Sequence, residues 1–147
     1  LQLLIYANNL ADGNTPNPLM QLAAARGRQM ELLCSSIVPQ PEIPDLSDNA
    51  FMTGLFSLLD ILINLPMSDI LKELPMQDEV VEALLSPSNG GALGELLAAV
   101  TSAESGNFTA AEAAYEKLGV DPETVAKAQV AAFYWACRIN VEHNHDD

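Results

Sequence analysis

An all-α bundle of about six to eight helices is what this sequence predicts. Three observations carry that prediction. Ala and Leu, both good helix formers, supply 20 and 22 of the 147 residues, while the strand-favouring aromatics make up only 5%. Apolar residues recur at helical spacing and nowhere alternate with polar ones for long. Apolar side chains are 49% of the chain, enough for a real core in one domain despite a formal net charge of −14.

Residues 1–9 begin Leu1-Gln2-Leu3-Leu4-Ile5-Tyr6-Ala7 and read as the end of a buried helix. An exposed run of that kind would be a sticky patch. The expectation is therefore a fragment of a longer protein, with Leu1, Leu4 and Ile5 packing on the missing part or on a second copy. Residues 8–18 are rich in turn formers, and Asn17-Pro18 makes a cap and first-turn pair. A helix over about 18–37 follows, with Leu19, Leu22, Ala23, Met30, Leu33 and Ile37 as its apolar stripe.

Pro39, Pro41 and Pro44 make the next segment a non-helical linker. Asp45 or Ser47 is then placed to cap a central helix over about 48–64, which is apolar on nearly every side and so predicted to lie inside the bundle. Two short helices come next. Each is introduced by Leu-Pro-Met, at Leu65-Pro66-Met67 and again at Leu74-Pro75-Met76, with Asp69 and Asp78 in the first turns. A loop over 86–91 leads to a helix over about 92–105 that carries Leu93, Leu96, Leu97 and Val100 and stops at Gly106. Thr109 and Glu112 have capping-box spacing for a helix ended by Gly119. Asp121-Pro122 opens the last helix, predicted to about residue 141, with a frayed tail over 142–147.

Charge excludes some function classes. Six Lys and Arg against 20 Asp and Glu leave no basic footprint for phosphates, so nucleic acid and anionic membrane surfaces are not expected partners. No apolar run approaches the roughly 18 residues of a membrane span. Cys34 and Cys137 lie in apolar settings without metal or CxxC spacing, which fits a cytoplasmic, reducing compartment. The two histidines, His143 and His145, both fall in the C-terminal tail, so neither a metal cluster nor a Ser-His or Cys-His pair is legible. No cofactor is expected.

Two charges fall on apolar helix faces: Arg26, between Leu22 or Ala23 and Met30, and Asp60, between Phe56 and Ile63. A lone buried charge costs several kcal/mol, so each needs a partner. The expectation is that Asp60 pairs with Arg26 or Arg28, or accepts helix N-terminal amides; the alternatives are a ligand-sensing role, or a rotated helix that leaves Asp60 exposed. Phe133-Tyr134-Trp135 is the other local concentration, read as core, with Tyr134 and Trp135 as the alternative docking surface.

The central stretch Ala50-Phe51-Met52-Thr53-Gly54-Leu55-Phe56-Ser57-Leu58-Leu59-Asp60 resembles the "aF-x-x-GLLHDIG" helix of the HD superfamily in its HDOD branch. The likeness extends to Leu1-Gln2-Leu3-Leu4-Ile5-Tyr6-Ala7-Asn8-Asn9, to residues 22–32 and on to Leu65-Pro66-Met67. Ser57 and Leu58 stand where that family has its metal-binding His-Asp pair, and neither is a useful ligand for a hydrolytic metal. The resemblance implies an orthogonal helical bundle, here lacking its first helices. It further implies the C-terminal part of a bacterial EAL–HDOD protein, whose EAL half is associated with cyclic di-GMP. The reading that follows is a non-catalytic signal-transduction domain. Its expected partners are its own missing EAL-like domain, another signalling protein, or a second copy as a homodimer. The alternatives are a small-ligand sensor and a degenerate HD-type phosphohydrolase.

Overall fold

In the computed structural model, which describes residues 18–87 and 91–145 with side chains through Arg138, α1 (Pro18–Cys34) and α2 (Leu46–Phe56) touch backbone to backbone. A Cβ on Gly54 would lie 2.6 Å from the Gly27 Cα, and one on Gly27 would lie 2.7 Å from the Phe51 carbonyl oxygen. Two glycines facing each other therefore set how closely the two helices cross. That crossing fixes which face of α1 is buried: Ala23, Arg26, Gly27, Met30, Leu33 and Cys34. The predicted stripe is rotated as a result. Leu19 and Leu22 come out on the exposed side, while Ala23, Met30, Leu33 and Ile37 are in the core. The helix also stops at Cys34, one turn early.

The remaining helices are α3 (Leu59–Ile63), α4 (Met67–Glu73), α5 (Asp78–Leu85), α6 (Gly91–Glu104), α7 (Phe108–Leu118) and α8 (Pro122–His145). The described residues form eight helices and no strand, an all-α bundle as the composition predicts. The packing centres on α1, which lies against α2 on one side and α8 on another. The opposite wall is an α6–α7 hairpin, joined to the rest through α5 and through α6 contacts with α1 and α2. Leu93, Leu96, Leu97 and Val100 of α6 are all buried, as their spacing requires. The proline linker is tied down where the Val38 N–H donates to the Leu118 carbonyl at 2.9 Å.

The predicted central helix is two helices. Thr53 and Ser57 turn their hydroxyls onto the carbonyls of Asn49 and Gly54, both at 2.7 Å, a local alternative that weakens a helix. Leu58 adopts φ −108° and ψ 0°, and the chain restarts at Leu59. Asp45 does occupy the N-cap position of α2, but in the left-handed region at φ 49° and with no side-chain cap bond. Asn49 ties the entry instead, donating to the Pro44 carbonyl at 2.7 Å.

Both short helices form, with Asp69 and Asp78 in their first turns. The cap of α7 is Asn107, which accepts from the Ala110 N–H, two residues before the predicted Thr109. Gly119, at φ 77°, ends α7 as predicted. Asp121 caps α8 by accepting from the Thr124 N–H and hydroxyl, and these bonds hold its carboxyl below the usual range. The backbone of α8 stays helical to His145, beyond the predicted 141. Leu1, Leu4 and Ile5, Asn17, and the last two residues of the tail lie outside the described residues.

Candidate functional site

Arg26 is a charge on the buried face of α1, with a side chain only 8% exposed. Each of its three nitrogens donates one hydrogen bond. Nε donates to Glu104 Oε2 at 3.0 Å, Nη2 closes the bidentate pair with Glu104 Oε1, and Nη1 donates to Ser57 Oγ at 2.7 Å. The Ser57 hydroxyl in turn donates a hydrogen bond to the Gly54 carbonyl. One guanidinium thus ties α1 to the C-terminal end of α6 and to the break after α2. The Glu104 side chain is 27% exposed, so water reaches it but hardly reaches the arginine.

The expected Asp60 ion pair does not form. Asp60 Oδ1 accepts the Ile61 N–H at 2.9 Å, which is the amide alternative. Among the described residues it makes no salt bridge with Arg26 or Arg28. The break at Ser57-Leu58 is the reason, because it turns α3 so that Asp60 is half-exposed instead of lying on the inner face of a continuous helix. Leu58 is 6% exposed and belongs to the core. Arg28 has different neighbours. Nη1 meets Glu31 Oε1 at 3.0 Å, and the guanidinium carbon lies 5.5 Å from the Trp135 ring centroid. Trp135 stands edge-on to Phe51, with centroids 5.7 Å apart, so it joins α8 to α2. The aromatic triplet is therefore split. Trp135 is half-buried structure, while Tyr134 and Phe133 are mostly exposed on α8.

The cysteines are free. Cys34 is buried, which pushes its thiol pKa up, and its Sγ lies 3.1 Å from the Glu31 carbonyl. Cys137 Sγ accepts from Gln21 Nε2 at 3.3 Å. Among the described residues no three His, Cys, Asp or Glu side chains gather at metal-binding distance. No helix there is long and apolar enough to cross a membrane.

A groove of about 760 Å³ lies between α7 and α8, with Ala103 of α6 in its lining. Phe108, Ala111 and Tyr115 form one wall, and Val125, Ala126 and Gln129 form the other. Tyr115 links this groove to the arginine site. Its side chain lines the groove, while its hydroxyl is buried without a hydrogen-bond partner. Burial pushes its pKa up to about 12, and the nearby Glu104 carboxylate adds to the effect.

Sequence reasoning found Arg26 and its need for a partner. It missed Glu104, because 20 acids were available and the partner lies 78 residues away. No family model, curated protein or solved structure matches the chain.

Proposed function

We propose that this chain is a non-catalytic, all-α signal-transduction domain of the HDOD kind, acting through protein–protein or interdomain contacts. The observation that carries the reading is the state of Ser57 and Leu58. The resemblance puts them at the metal-binding pair of HD hydrolases. Here the Ser57 oxygen accepts from Arg26 and its hydroxyl donates to Gly54, while Leu58 is core. The Arg26 guanidinium already sits on the Ser57 oxygen, so a second cation there would meet its repulsion.

In this reading the partner is an EAL-like neighbouring domain or another cytoplasmic signalling protein, and the context is cyclic di-GMP signalling in a bacterium. The mechanism is a population shift: a partner that binds one packing of the bundle better than another moves the equilibrium toward it. The Arg26–Glu104–Ser57 contacts join three elements and would differ between two such packings.

The test is elemental analysis of the purified chain together with a cyclic-dinucleotide hydrolysis assay with added manganese. Substoichiometric metal and no hydrolysis are expected. One tightly held divalent ion per chain, with turnover lost on chelation, would restore the phosphohydrolase reading.

A further inference from the structure

The α7–α8 groove exists because its two walls pack on different neighbours. α7 lies on α6, α8 lies on α1, and the two diverge from their junction at Asp121 with little contact between them. Much of the lining is apolar (Phe108, Ala111, Val120, Val125 and Ala126), and Phe108 stands 65% exposed. The charges lining the groove are all of one sign: Glu112, Glu116 and Asp121, with no Lys or Arg among them. Two lysines adjoin lining residues in sequence, and both are paired outside the lining: Lys117 meets Glu95 at 2.6 Å and Lys127 meets Glu123 at 3.3 Å.

We propose that this groove docks a short amphipathic helix of a partner protein, with an apolar face that fills the wedge and Lys or Arg along its flanks. This rests on the reading of the chain as a domain that works through protein contacts, and it names the surface. An apolar helix face laid into a groove between two helices is an established recognition geometry, read through anchors one turn apart. The eleven residues of α7 span about 16 Å, which matches two to three turns of a guest helix. The acidic rim supplies complementarity to a basic flank and disfavours an acidic one. Phe108 is placed as the aromatic anchor, since large aromatics that lose water on docking dominate such interfaces.

The test uses the 147-residue chain and a helical peptide of about 14 residues, Leu on one face and Lys on the other, beside a counterpart with Glu for Lys. Amide shifts are followed by NMR during titration. Saturable shifts at Phe108, Ala111, Gly119 and Ala126 with the Lys peptide, and none with the Glu peptide, are expected. Ala126 is exposed on α8, so Ala126→Trp fills the groove without touching the core, and it should weaken binding about tenfold. Glu112→Lys with Glu116→Lys should do the same. Unchanged affinity in Ala126→Trp, or shifts spread over the acidic residues of α4 and α5, would overturn the groove while leaving the non-catalytic reading intact. Groove shifts produced in the free protein by Leu4→Ser would make the chain's own N-terminal segment the occupant and overturn the partner. Metal retention with hydrolysis would overturn the underlying reading by a separate route.

Discussion

Gly54→Ala should destabilise this protein, although the same change in an ordinary helix is favourable. Replacing an interior helical glycine with alanine normally gains about 1 kcal/mol. Gly54 differs because its missing side chain is the space that α1 occupies. A Cβ there would lie 2.6 Å from the Gly27 Cα, 2.7 Å from its nitrogen and 2.9 Å from the Arg26 carbonyl carbon. Carbon–carbon contacts settle at about 3.5–4.0 Å, so the helices must part by roughly 1 Å. Every one of these contacts is to backbone, so no rotamer change relieves them. Overpacking of that kind costs about 3 kcal/mol, the upper end of the usual range. Set against the propensity gain, the net loss is about 2 kcal/mol. Parting the helices also stretches the 2.7 Å bond from Arg26 to Ser57, in the same direction. Equilibrium urea unfolding followed by far-UV circular dichroism measures the change, and a fall in Tm of about 5 °C should accompany it. Gly27→Ala should cost a similar amount, and the double variant less than the sum, because either methyl alone already separates the pair. A Gly54→Ala protein as stable as the parent would refute the backbone contact between α1 and α2.

The two halves of the ion pair should not be equivalent. Glu104→Ala strands a guanidinium that is 8% exposed, at a cost of about 2–4 kcal/mol, while Arg26→Met leaves a carboxylate that water already reaches, at about 1 kcal/mol; the opposite ranking in urea unfolding would contradict the burial asymmetry. Tyr115→Phe removes a buried hydroxyl with no partner, so stability at neutral pH should stay level or rise by up to about 1 kcal/mol. The Tyr115 pKa is raised in the fold, from 10.0 to about 12, so its neutral form is favoured there and its contribution is complete below pH 10. That contribution is lost as the pH climbs toward 12. Unfolding measured across this window should show a shallower decline in Tyr115→Phe, and identical slopes would count against the buried tyrosine.

Much of the fold was legible in local chemistry. Prolines and glycines act on the backbone of their own neighbourhood, so the linker at 39–44, the two short helices after Pro66 and Pro75, and the stops at Gly106 and Gly119 could be read without tertiary information. The Leu93, Leu96, Leu97 and Val100 stripe was legible for the same reason, because α6 is a regular helix with one apolar face. The need of Arg26 for a partner also followed from the sequence, since the cost of burying a charge does not depend on the fold. What the tertiary structure decided was every choice among equivalent candidates. It selected Glu104 from 20 acids, turned α1 so that Gly27 and not Leu22 faces inward, broke the central helix at Ser57 and so released Asp60 from the interior, and opened the wedge between α7 and α8. These outcomes depend on how closely two helices can approach and on which neighbours fill the space, and such distances are properties of the packed chain, not of any stretch of it.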